Sequence, residues 1–101
     1  MKSHDTAVVE MLRNDPEMAI EYLRAAFDEM DEEGGEAAFL MALRHLVQAQ
    51  GGMTEVAKRA KISRESLYRA LSPEGNPKLR TITAVMKATG IHFHQLTHSA
   101  A

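Results

Sequence analysis

The 101-residue chain contains no cysteine and no tryptophan, and only five of its residues are aromatic. Without cysteine it can form neither a disulfide framework nor a thiolate metal site, which makes a reducing compartment the natural expectation. It also lacks any apolar run approaching the roughly 20 residues of a membrane span. The first residues, MKSHDTAVVEMLRND, hold no apolar signal core and no small-residue cleavage site, so we expect a cytoplasmic protein without a membrane partner.

Patterns typical of catalysis and metal binding are missing as well. No nucleophile–base–orienter set can be assembled from the residues present, and no glycine-rich phosphate loop follows a strand pattern. We therefore expect neither an enzyme nor a cofactor. The spacing of His92, His94 and His98 would allow a zinc pair, but this terminal segment has no nearby carboxylate or cysteine ligand. Exposed histidines without a metal are the favoured interpretation.

Apolar residues follow a helical period along most of the chain, and no segment alternates with a period of two. Asp15 and Pro16 are typical of a helix start, and the apolar stripe that follows predicts a helix ending near Asp31. The other helices are predicted over Thr6–Arg13, from Gly35 to Gly51, over 53–60 and 63–71, and from Leu79 to a C-terminal glycine cap at Gly90. The predicted class is all-α.

Two of these helices carry well-defined apolar stripes. The stripe of the helix that begins at Gly35 comprises Phe39, Leu40, Leu43, Leu46 and Val47, with Arg44, His45 and Gln48 outside it. The stripe of the last long helix comprises Leu79, Ile82, Val85 and Met86. We divide the chain into an N-terminal helical extension, residues 1–34, and a domain of residues 35–101.

The segment 53–72, MTEVAKRAKISRESLYRALS, is the most informative of the chain because it reads as two short helices joined by a tight turn. Its core-facing residues are predicted to be Val56, Ala57, Ala60, Leu67, Ala70 and Leu71. Ile62 fills the corner between the helices, and Ser63 is placed to cap the second one. A generic helical hairpin with a solvated face is the alternative. The small, apolar and capping positions together favour a DNA-binding helix-turn-helix.

Charge divides the chain into two unlike halves. Residues 1–52 contain four Lys/Arg against eleven Asp/Glu, a balance of −7, whereas residues 53–101 contain eight against three, a balance of +5. Such asymmetry suggests two different partners. The basic half holds the helix-turn-helix pattern, where a DNA-binding protein needs to neutralise phosphates.

Residues 35–91 resemble the five-helix DNA-binding domain of the lambda-repressor-like (Xre-type) superfamily. Nearly the whole chain looks like the small antidote proteins of addiction modules, on the strength of DPEMAIEYLRAAF, AFLMALRHLVQAQGGMTEVAKRA and SRESLYRALSPEGNPKLRTITAVMKATG. SRESLYRALSPEGNP is the most specific of these elements. The resemblance implies a homodimer that binds its own double-stranded operator DNA and neutralises a small basic toxin of the RelE/ParE type, encoded beside it.

One turn position departs from the superfamily. Lys61 stands where that superfamily usually has glycine, because the backbone there favours a positive φ. Two outcomes are open. Either Lys61 adopts the left-handed conformation, at a cost on the order of 1 kcal/mol, or the turn is more open than in the superfamily.

Outward positions of the second motif helix supply most candidate DNA contacts. Arg64 and Arg69 suit bidentate binding of guanine, although an ion pair between Glu65 and Arg69 is the alternative for the latter. The Tyr68 ring could pack on a sugar or a thymine methyl, or serve as a partly buried filler. The candidate set is Thr54, Ser63, Arg64, Glu65, Ser66, Tyr68, Arg69, Asn76, Lys78 and Arg80.

The remaining candidates have simpler alternatives. Thr54 begins the first motif helix, where backbone N–H groups favour a phosphate. Ser63 could do no more than cap its helix, and Asn76, Lys78 and Arg80 could be plain solvated surface. The favoured function is a DNA-binding antitoxin that represses its own operon. A stand-alone helix-turn-helix regulator and a protein-interaction module without DNA binding are the alternatives.

Overall fold

Seven α-helices make up most of residues 3–97, the part of the chain that the computed structural model describes. They are α1 (His4–Asn14), α2 (Pro16–Asp28), α3 (Gly35–Ala49), α4 (Met53–Ala60), α5 (Arg64–Ala70), α6 (Leu79–Ala88) and α7 (Phe93–Thr97). No strand occurs in this range, so the all-α prediction is confirmed. None of the described helices is long and apolar enough to cross a membrane.

The longest helix, α3, lies at the centre of the packing. It contacts α1, α2 and α4, while α2 also packs against α7, and α4 against α5 and α6. Leu12 of α1 and Leu23 of α2 belong to the same continuous core as Leu43 of α3 and Leu67 of α5. The two N-terminal helices therefore share their apolar interior with the helices that follow. The domain boundary at residue 34 stays a prediction.

Local capping chemistry sets two of the helix ends that the sequence predicts. The Asp15 side chain accepts a hydrogen bond from the Met18 N–H at 3.1 Å, which confirms the predicted start of α2. The end of α6 is also as predicted, since Gly90 has a φ of 88° and the Ile91 N–H donates to the Met86 carbonyl at 3.1 Å. The C-terminal residues described beyond it form α7, in which Leu96 is buried.

The end of α2 differs from the prediction. The helix stops at Asp28 rather than near Asp31, and a series of turns then brings the chain back to α3. The return is so close that a Cβ on Gly35 would collide with the carbonyl oxygen of Glu29. A continued helical apolar period cannot reveal this reversal, because Met30 still packs against the core from the turn.

Two side chains differ in burial from what the helical period predicts. His45 was predicted to lie outside the α3 stripe but is only 5% exposed, because its face of α3 meets Tyr22 and Asp5 of the N-terminal helices. Leu79 was predicted to be part of the α6 stripe but is 67% exposed. It begins α6, whereas the second half of that helix, with Val85, carries the fully buried residues.

The histidines near the C-terminus form no metal centre within residues 3–97, where no group of three possible ligands comes together. His92 and His94 are exposed, and their rings stack with centroids 5.8 Å apart. His98 lies outside the described residues.

Candidate nucleic-acid interface

The turn between α4 and α5 adopts the conformation that glycine usually provides. Lys61 has φ 60° and ψ 41°, and it is the sole non-glycine residue with a positive φ within residues 3–97. The Ile62 N–H then donates to the Ala57 carbonyl at 3.1 Å, which closes the end of α4. Of the two outcomes left open by the sequence, the chain takes the first: Lys61 accepts the left-handed conformation and the turn stays tight.

The start of α5 is fixed by its cap. The Ser63 hydroxyl oxygen accepts a hydrogen bond from the Ser66 N–H at 2.9 Å, and the same hydroxyl donates to the Ser66 hydroxyl at 2.8 Å. This confirms Ser63 as the N-cap. Because Ser63 donates its only hydroxyl proton to Ser66, the hydroxyl proton of Ser66 remains available to an external acceptor. Fully buried Leu67 sets which face of α5 turns inward.

The other end of α5 is held by a residue that the sequence did not single out. Arg44 of α3 donates from Nη1 to the Leu71 carbonyl at 3.0 Å, and the Ser72 hydroxyl donates to the Arg69 carbonyl at 2.9 Å. The following loop also folds back closely, since a Cβ on Gly75 would collide with the Ala70 carbonyl oxygen. Arg44 was predicted to lie on a solvated face, and no periodicity identifies a partner 27 residues away.

The outward face of α5 presents a continuous set of polar and aromatic side chains. Arg64, Glu65, Tyr68, Arg69 and Ser72 line one shallow depression. Tyr68 is 55% exposed, so its contact with DNA stays a prediction beside the partly buried filler. The described part of the chain shows no ion pair between Glu65 and Arg69, so that alternative for Arg69 does not hold.

A second cluster of candidates meets in an open cleft between α5 and the loop that leads to α6. Ser66, Arg69 and Asn76 line it together. The other lining residues are Ile62, Ala70, Ser72, Glu74, Gly75, Pro77 and Thr81. Two hydroxyl residues of this cleft, Ser72 and Thr81, were not candidates from the sequence. A signal for Thr81 was available, because it lies in the first turn of α6, where backbone N–H groups point outward.

Thr54, Lys78 and Arg80 lie at helix starts and line neither the depression nor the cleft. Thr54 is exposed in the first turn of α4, and Lys78 directly precedes α6, whose first turn contains Arg80. Among the described residues, no side chain caps the start of either helix. Their first N–H groups are therefore left to solvent or to an anion such as a phosphate.

The chain has relatives among known sequences. Residues 2–97 match the sequence profile of the family described as "Probable addiction module antidote protein". A protein of Haemophilus influenzae, described only as an uncharacterized protein, is 38% identical over 89 residues, which span 88% of this chain and 86% of the relative. No solved structure matches the chain.

Proposed function

The chain belongs to the family of addiction-module antidote proteins, and on that premise we propose that it is a DNA-binding antitoxin. In this proposal it neutralises a small basic toxin of the RelE/ParE type and, as a homodimer, represses the operator of its own operon. The observation that carries the DNA-binding part is the exposed face of α5, held at one end by the Ser63 cap and at the other by Arg44.

The arrangement of α4 and α5 supports a helix-turn-helix of the lambda-repressor-like type. Residues 35–97 contain five helices, the second and third of which are joined by the tight turn at Lys61. In such a unit the second motif helix enters the major groove and the first crosses the phosphate backbone. Here α5 would read bases through Arg64, Tyr68 and Arg69, with Thr54 at the start of α4 placed for a phosphate.

The length of α5 argues for a dimer. Its seven residues span about 10 Å at 1.5 Å per residue, which covers about three base pairs at 3.4 Å each. One such helix specifies too few bases for a unique site. A two-fold dimer doubles the contact and reads two half-sites about one helical turn apart.

The acidic half supplies the proposed toxin-binding surface. Six of its carboxylates, on the outer side of α2 and in the turns after it, are exposed: Glu21, Asp28, Glu29, Asp31, Glu32 and Glu33. The apolar stripe of α2 is unavailable to a partner, because Ala19 and Leu23 are buried in the core. We therefore assign the contact to the polar face of α2 and the following turns, where negative charge would steer a cationic protein.

Footprinting of the full chain on the DNA upstream of its reading frame tests the proposal. We expect protection of an inverted repeat, with an affinity that falls steeply as salt is raised because bound counterions are released. Binding that is insensitive to salt and protects no repeat would overturn the DNA-binding role. Co-purification with the protein encoded beside it tests the antitoxin role separately from the DNA.

Two variants separate base reading from phosphate positioning. Arg64→Ala should cost roughly 1–3 kcal/mol on the operator and relax the preference at one base position. Lys78→Ala should weaken binding to operator and random DNA alike. Equal losses for both variants on both DNAs would show that these roles are wrongly assigned.

A further inference from the structure

Arg64 and Tyr68 form a contact on the outward face of α5 that the packing of the helix does not require. The guanidinium carbon of Arg64 lies 5.5 Å from the centroid of the Tyr68 ring, within the range of a cation–π interaction. Both side chains are exposed. The contact therefore lies on the surface that faces DNA in the proposed function.

This contact leaves the hydrogen-bonding groups of both residues available. A guanidinium stacks on a ring through its face, so that its five N–H donors stay free. Within residues 3–97, neither the Arg64 guanidinium nor the Tyr68 hydroxyl has a hydrogen-bond or ion-pair partner. A carboxylate partner would instead occupy those donors and would have to be displaced before a base could bind.

The ring is a fixed support because α5 itself is fixed. The Ser63 cap holds its first turn, Arg44 holds its C-terminal end, and Leu67, the neighbour of Tyr68, is fully buried. An arginine side chain that is already ordered loses less conformational freedom when it binds.

We propose that Tyr68 is a positioning and specificity-determining residue. It holds Arg64 in the conformation that binds O6 and N7 of a guanine, and its own ring packs on the 5-methyl group of a thymine in the same half-site. The inference rests on the proposed function. Four residues along α5 correspond to about 6 Å, so the thymine lies within about two base pairs of the guanine.

Duplexes with single-group changes test this inference on the full chain. Each guanine of the footprinted half-site is replaced in turn by 7-deazaguanine, which lacks only the N7 acceptor, and each thymine by uracil, which lacks only the methyl group. For one guanine the wild type should lose about tenfold in affinity. One thymine within two base pairs of it should give a smaller loss.

Three variants distinguish the two roles of the ring. Tyr68→Phe should keep both sensitivities, since the hydroxyl is not used. Tyr68→Leu keeps an apolar side chain without a π face, so it should keep the uracil effect and lose most of the 7-deazaguanine effect. Met11→Leu, an apolar exchange at an exposed position of α1 outside the proposed interface, is the matched control and should keep both. All three should melt at the wild-type temperature because the changes are on the surface.

The outcomes separate this inference from the proposed function. The inference is overturned, while operator binding stands, if Tyr68→Leu keeps the full 7-deazaguanine effect. The same holds if its affinity falls by the same factor on every duplex. If the wild type does not prefer the operator over random DNA, the proposed function itself fails. The contact can also be observed without DNA, because the ring should shift the side-chain proton resonances of Arg64 in the wild type and not in Tyr68→Leu. Identical shifts in both proteins would overturn it.

Discussion

The hydroxyl of Tyr22 lies 2.8 Å from Nδ1 of His45, and Nε2 of the same imidazole lies 3.2 Å from a carboxylate oxygen of Asp5. A carboxylate only accepts hydrogen bonds, so Nε2–H donates to Asp5, and in the neutral imidazole Nδ1 then accepts from the Tyr22 hydroxyl. Three helices are thereby joined through one buried ring. Both ring nitrogens are satisfied, which is the condition for burying a histidine in an otherwise apolar core.

Removing the Tyr22 hydroxyl should destabilise the protein. Tyr22→Phe leaves Nδ1 of His45 without a partner inside the core, so we expect a loss of about 0.5–1.5 kcal/mol in the free energy of unfolding. Urea denaturation measures it. Tyr68→Phe is the matched control, because that exposed hydroxyl has no partner among the described residues. Equal stabilities of the two variants would contradict the role given to the Tyr22–His45 bond.

Stability should also fall at alkaline pH through the same tyrosine. Burial, and secondarily the charge of Asp5, raise the pKa of Tyr22 above its ordinary value. The Tyr22 hydroxyl therefore loses its proton at a lower pH in the unfolded chain than in the folded protein. Its contribution to the free energy of unfolding is complete below about pH 10 and disappears as pH rises through the folded-state pKa. Denaturation series of the wild type and Tyr22→Phe over this range should converge as the pH increases. A stability difference that stays constant would contradict the pKa shift.

Truncation of two leucines in the basic half should change stability by very different amounts. Leu67→Ala opens a cavity at a fully buried position and should cost about 2–5 kcal/mol of stability. Leu79→Ala removes the same atoms from a side chain that is 67% exposed, and we expect a change within about 0.5 kcal/mol. Thermal melting of both variants is sufficient. A larger loss for Leu79→Ala than for Leu67→Ala would contradict the packing described for α5 and α6.

The left-handed turn residue offers a stabilising substitution. Lys61→Gly relieves the Cβ penalty at φ 60° and should stabilise the protein by at most about 1 kcal/mol. The greater conformational freedom of glycine in the unfolded chain offsets part of this gain. Lys58→Gly is the control, since it puts glycine inside α4 and should cost about 1 kcal/mol. The midpoints of urea denaturation should move in opposite directions. A loss of stability with both substitutions would contradict a strained Lys61.

Neutralising the acidic turns should slow association with the toxin and leave DNA binding intact. The variant Glu32→Gln/Glu33→Gln removes two negative charges from the proposed toxin surface. The control Glu55→Gln/Glu74→Gln removes the same charge from the basic half, away from that surface. We expect the association rate to fall severalfold at low salt for the first variant, because steering by charge acts on encounter. Equal rates for the two variants would place the toxin contact outside these turns.

Much of the fold could be predicted because it depends on local chemistry. The Asp15 and Ser63 caps and the Gly90 ending follow from residues within a few positions of each helix end, where the hydrogen bonds are made. The helical period likewise placed Leu67 inside and Tyr68 outside, since burying one face of a helix fixes the other. These features carry the helix-turn-helix interpretation, and they needed no knowledge of distant contacts.

The polar contacts between distant helices were decided by tertiary structure alone. His45 looked solvated in its own helix and became buried because partners 23 and 40 residues away satisfy its ring. Arg44 likewise reaches a carbonyl at the far end of α5, whereas apolar Leu79 stays in solvent. Periodicity records which face of a helix is apolar. It cannot record which polar groups another helix will cover, because that burial is favourable only when remote donors and acceptors arrive together.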